Sequence, residues 1–134
     1  MVMKIKTRDF FSVIFPVLLW MLFIFILSSV KGESIPKFPI PHFHMLVHFG
    51  EYSMLGFLFL RAFIYLRPQA GGLALLSISA LFCLLFALSD EWHQSFVAGR
   101  TSQLVTVGYD MIFYILGLGA YGLTGMKQRK RITP

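Results

Sequence analysis

The sequence predicts an all-α fold, a polytopic membrane protein built as a four-transmembrane-helix bundle with both termini cytoplasmic. Three observations lead there. Of 134 residues, 57% are hydrophobic, 16% aromatic and only 13% charged, and the mean hydropathy of +0.73 lies far above that of an ordinary soluble domain. Four continuous apolar runs each approach the roughly 20 residues that a helix needs to cross a bilayer. Lysine and arginine concentrate at both ends and in the middle loop. The runs do not alternate apolar and polar over roughly 10 residues as barrel strands do, so a helical bundle is expected. Too little chain lies outside them for a separate soluble domain, and residues 1–134 are read as one unit.

The first helix is placed over residues 10–30. Lys4, Lys6 and Arg8 precede it and Ser28 and Ser29 close it, a pattern shared with secretory signals. The run is longer than a signal's apolar region and rich in Phe and Trp, so the helix is expected to be retained. Pro16 removes a backbone donor and should bend it. The following loop, "KGESIPKFPIPHFH", spaces Pro36, Pro39 and Pro41 with apolar residues. That composition favours an extended segment along the outer surface, with Phe38, Ile40 and Phe43 dipping into the interface.

The second helix is expected over residues 45–66, ending at "RPQAGG", where Pro68 and Gly71 stop it. The third, residues 70–89, carries the single cysteine, Cys83, so no intramolecular disulfide forms and the thiol is read as packing. The fourth covers residues 104–125, and its Gly108, Gly117, Gly119 and Gly122 should let another helix approach closely.

The net charge of +6 is informative through its distribution. Lys4, Lys6, Arg8, Arg67, Lys127, Arg129, Lys130 and Arg131 fall at the termini and in the middle loop, against Lys31, Lys37 and Arg100 in the other two. The positive-inside rule therefore puts both termini in the cytoplasm. The basic tail is short and lacks interleaved aromatics, which fits an anchor against anionic lipid and not a nucleic-acid site.

Under this topology the unusual polar groups gather at the outer face. At about 100° per residue, His48, Glu51 and Tyr52 share one face of the second helix, continued inward by Leu55 and Phe59. If the third helix continues past Ser89 through "SDEWHQSFVAGR", then Asp90, Glu91, His93 and Gln94 occupy one arc and Trp92 points the other way, toward headgroups. Thr106, Asp110, Phe113 and Gly117 form a stripe on the fourth helix.

A carboxylate inside the membrane costs roughly 2.5–3.5 kcal/mol on insertion scales, so Asp110 should have a partner. Arg100 is the only cation near these acids and is expected to pair with one or two of Glu51, Asp90, Glu91 and Asp110. Arg61 lies about 15 Å deeper than Glu51 and is expected to snorkel to the cytoplasmic surface. His42 and His44 are read as solvated loop residues. No phosphate-cradling glycine loop or nucleophile elbow is present, and no cofactor is expected. His48 and Glu51 share a face in the manner of metal ligands, but a third close ligand is missing, so no metal is expected.

"HFGEYSMLGFLFLRAF", then "SDEWHQSFVAGR" and a glycine-bearing last helix, resembles the VanZ-like family of small bacterial membrane proteins, named for a protein linked to teicoplanin resistance. The resemblance covers about residues 45–122. It rests on His48, Phe49, Glu51 and Tyr52 in the first motif and on Asp90, Glu91, His93, Gln94, Phe96, Gly99 and Arg100 in the second. This sequence departs from the family pattern in three places. His44-Met45-Leu46 stands where a lysine is usual, Thr106 where an acid is usual, and Phe113 where a glycine is usual. The resemblance implies a multi-pass protein of the bacterial cytoplasmic (inner) membrane in envelope biology or glycopeptide resistance.

Two functional readings follow. In the first, His48, Glu51, Tyr52, Asp90, Glu91, His93, Gln94, Arg100 and Asp110 line an outer-face pocket that binds a membrane lipid, a lipid-linked cell-wall precursor or an amphiphilic drug such as a glycopeptide. In the second, the protein is an interfacial enzyme in which Glu51 or Glu91 is the general base, His48 or His93 assists, and Arg100 stabilises developing negative charge. The same groups also serve as interhelical glue. A small transporter fits poorly, since no inverted repeat is visible.

Overall fold

The computed structural model describes residues 7–36, 39–40, 42–67 and 69–132, the side chains of Asp9 and of residues 123–132 excepted. Lys4, Lys6, Lys37, Phe38, Pro41 and Pro68 lie outside the described residues, as do the side chains of Lys127, Arg129, Lys130 and Arg131. The regular structure among the described residues is all helical, and four helices are long and apolar enough to cross a membrane.

Helix α1 covers residues 7–28: a single turn Thr7–Asp9, a π-helical turn Phe10–Ile14 and an α-helix Phe15–Ser28. The distortion expected at Pro16 takes the form of that wide turn. Proline has no N–H, so it cannot serve the carbonyl of Ser12, four residues before it. Arg61 reaches across from the second helix, and its Nη2 donates to the Ser12 carbonyl at 2.7 Å. Arg61, expected to stretch toward a membrane surface, reaches the N-terminal end of α1 and serves a backbone acceptor that the proline leaves without its α-helical donor.

Helix α2 spans Phe43–Leu66. It starts earlier than the apolar run because His42 turns the chain in a left-handed conformation, φ 56°, one that histidine adopts more readily than most residues. Helix α3 spans Gly72–Gln94. It outlasts the apolar run, and Asp90, Glu91 and Gln94 thereby fall on its buried side while Trp92 stays 69% exposed and packs edge-on against Phe96. Helix α4 spans Leu104–Ile132. In the loop expected to be extended, Gly32–Ser34 forms a 3-10 turn before the chain straightens at Ile35.

Ile24, Tyr52, Leu55, Cys83, Ala87 and Tyr114 are buried at the centre. Phe11, Leu18, Leu73, Leu81 and Ile112 face outward from the bundle, which suits a solvent of lipid tails as apolar as leucine. Polar bonds stitch the helices to one another. Trp20 donates to the Glu51 carbonyl at 2.8 Å, Ser53 to the Phe113 carbonyl at 3.1 Å, and Tyr114 to the Ser79 carbonyl at 3.0 Å.

The closest crossing is between α2 and α4. A Cβ on Gly117 would collide with the Ser53 carbonyl, and one on Gly56 with the Tyr114 carbonyl, so both positions require glycine. Gly108, Gly119 and Gly122, expected to serve the same purpose, have open space where a Cβ would stand. Only one of the four glycines named on α4 lies at the crossing, and its counterpart Gly56 lies on α2. At one end of the bundle the first and third loops also meet. The Gly32 N–H donates to the Ala98 carbonyl at 3.0 Å, and Gly99, with φ of 75°, turns back over Gly32.

Candidate functional site

The C-terminal ends of α1 and α3 and the N-terminal ends of α2 and α4 share that end of the bundle, and the polar side chains singled out in the sequence lie there. The centre of the arrangement is an ion pair. His48 Nδ1 and Asp110 Oδ1 are 2.8 Å apart across α2 and α4, with the Asp110 side chain 1% exposed. His48 also lies parallel to the Tyr52 ring, their centroids 6.2 Å apart. Asp110 thus has the partner that its burial demands, and that partner is a histidine.

Arg100 does something other than expected. Its Nη2 donates to the Leu27 carbonyl at 2.8 Å, and among the described residues the ion pair between His48 and Asp110 is the one found. The physical reason is the carbonyl end of α1. The carbonyls there carry partial negative charge, and the Leu27 oxygen, which also accepts the Val30 N–H at 3.2 Å, keeps a second lone pair for a guanidinium folded back over it. Overall charge balance pointed to a carboxylate, but backbone geometry gives the guanidinium a carbonyl.

The other acids divide by role. Glu91 accepts the Gln103 backbone N–H at 2.9 Å through Oε2, anchoring the start of α4 much as a capping carboxylate does. Asp90 accepts from Gln94 Nε2 at 2.9 Å, and Gln94 also reaches Ser28 Oγ at 3.3 Å. His93 faces α1, with Nε2 2.9 Å from Ser29 Oγ and its ring tilted 30° against Phe25, centroids 4.2 Å apart. Glu51 is 6% exposed, and its carboxylate has no hydrogen-bond partner among the described residues.

Glu51 opens instead onto a cavity of about 550 Å³ between the end of α1, the start of α2 and the first loop. Its polar wall is Ser28, His42, His44, His48, Glu51, Gln94 and Arg100; its apolar wall is Leu27, Val30, Ile35, Pro36, Ile40, Phe43 and Val47. The size matches ligand pockets, which run to about 300–1,000 Å³. Of the candidate residues, His48, Glu51, Gln94 and Arg100 line it. Asp110, Tyr52 and Asp90 stand behind that wall and hold its members through hydrogen bonds and stacking. Glu91 and His93 are engaged with the start of α4 and the end of α1.

His42 and His44, read from sequence as loop residues, are exposed but contribute to the wall. Ser28 was passed over because a hydroxyl near a helix end carries no local signal. A smaller cavity of about 90 Å³ on the far side of His48 is lined by Thr106, Tyr109 and Phe113 among others. Phe113 packs edge-on against Phe49. Among the described residues no group of three or more His, Cys, Asp or Glu side chains converges to hold a metal ion.

Comparison with known proteins finds no matching family model, no matching curated protein and no matching solved structure.

Proposed function

We propose that this chain is a VanZ-like multi-pass protein of the bacterial cytoplasmic membrane, with both termini cytoplasmic, that binds an amphiphile beneath the outer leaflet. The ligand class is a membrane lipid, a lipid-linked cell-wall precursor or an amphiphilic glycopeptide. One observation carries the reading: a cavity of about 550 Å³ at the loop end of the bundle is lined both by apolar side chains and by Glu51 and Arg100. Such a two-sided site suits a molecule that is itself half apolar and half charged. The motifs around His48 and Asp90, and the basic residues at the termini, support the family and the orientation.

The enzymatic alternative is favoured by one detail. Asp110 holds His48 at Nδ1, which fixes the ring and leaves Nε2 for proton transfer beside Glu51. Lipid-resolved native mass spectrometry of the purified protein separates the two readings. Wild type should retain a lipid that Val47→Trp, which fills the apolar wall, fails to retain at unchanged helicity. A chemically altered lipid would replace the binding reading with the enzymatic one, and equal retention by both proteins would remove the cavity from consideration.

A further inference from the structure

We infer that the ligand's polar head is a zwitterion, a primary ammonium and a phosphate on one short linker, with the ammonium set against Glu51 and the phosphate against Arg100. This rests on the amphiphile reading and narrows it to one head-group chemistry.

The argument starts from what each polar group on the cavity wall still has to offer. Glu51 is 6% exposed and lines the cavity with no hydrogen bond to its carboxylate among the described residues. A buried carboxylate of that kind requires donors, and a cationic donor most of all. Gln94 commits its amide hydrogens to Asp90 at 2.9 Å and Ser28 at 3.3 Å. An ionised Asp90 can only accept, so the NH2 of Gln94 must face it, and the carbonyl oxygen of Gln94 is what remains for the cavity. That end of the wall therefore presents acceptors.

Arg100 offers the opposite. One of its nitrogens is engaged with the Leu27 carbonyl, and the guanidinium lines the same cavity as Glu51 without forming an ion pair with it. Its planar fork of donors suits a phosphate. His48 brings no further charge to the balance, because Asp110 pairs with it. Among the described residues the wall thus carries one arginine and one carboxyl group that do not meet.

A purely anionic head would answer Arg100 and be repelled by Glu51, and a purely cationic head would do the reverse. A head with both charges answers both. A primary ammonium fits better than a quaternary one. It brings three N–H donors to the Glu51 and Gln94 oxygens, whereas a trimethylammonium brings none and needs an aromatic cage. Among the described residues, Phe43 is the one Phe, Tyr or Trp on this wall.

The test uses the full-length protein in mild detergent. Its melting temperature is measured with dioleoyl phosphatidylethanolamine, phosphatidylcholine, phosphatidylglycerol and diacylglycerol, and with soluble phosphoethanolamine. Phosphatidylethanolamine should stabilise the wild type most. Glu51→Gln should weaken its apparent Kd about tenfold or more, the loss of one charge-assisted hydrogen bond, while tightening that of phosphatidylglycerol, whose head no longer meets a like charge. Equal stabilisation by all four lipids, or a preference for phosphatidylglycerol, overturns the zwitterion and leaves the amphiphile reading standing. No stabilisation by any of them overturns the zwitterion and removes simple membrane lipids from the amphiphile reading. Phosphoethanolamine acting as well as the lipid assigns the head chemistry to a soluble ligand, and a need for acyl chains assigns it to a lipid; either supports the charge pairing. Should Glu51→Gln not fold, the head-group series on wild type reads the same preference unaided.

Discussion

Asp110, 1% exposed and 2.8 Å from His48, is a buried polar group whose partner comes from a second helix. Removing that partner strands a buried charge. His48→Ala should therefore lose about 3–5 kcal/mol of stability in reversible unfolding from mixed micelles. The double change His48→Phe with Asp110→Leu, which strands nothing, should lose markedly less. A double variant as unstable as His48→Ala would show that volume, not charge, is at stake. Sequence alone made the need for a partner visible, since a carboxylate at that depth is costly. It did not name His48, because the two residues are 62 positions apart and no local pattern joins α2 to α4. Arg100 was misplaced for a related reason. Counting charges makes a carboxylate its natural partner, but the backbone carbonyls at the end of α1 are invisible to a count of side chains.

For the helices, length and apolar content located all four, and their limits differ from the apolar runs where backbone bonding outlasts hydropathy. Helix α3 is the clear case. The apolar run stops at Ser89, but the helix continues to Gln94, which brings Asp90 and Glu91 to the protein side. The crossing of α2 and α4 was half legible. Four glycines on α4 announced a close approach, but which of them faced α2 depends on the rotation of the helix, and Gly56 stood alone in an apolar run. Gly117→Ala and Gly56→Ala should each destabilise the protein by about 1–3 kcal/mol through overpacking, whereas Gly119→Ala should be neutral or slightly stabilising. Thermal unfolding of the three purified variants checks this, and a loss at Gly119 equal to that at Gly117 would mean the crossing lies elsewhere.

Across the whole molecule, four helices that cross a membrane in alternation place the loop after α2 on the side opposite the loop after α3. With the orientation proposed above, Ser102→Cys should react with a membrane-impermeant maleimide in intact cells, and Gln69→Cys only after permeabilisation. Cys83 is fully buried and contributes little background. The reverse labelling pattern would invert the protein and move the cavity to the inner leaflet. The meeting of Gly32 with Ala98 and Gly99 adds a mechanical coupling to this layout. Two backbones in contact, with no side chain to cushion them, have to shift together, and Arg100 is the next residue along. The first loop is therefore a lever on the guanidinium: a bulkier residue at position 32 would steer the charge at position 100 without touching the ligand.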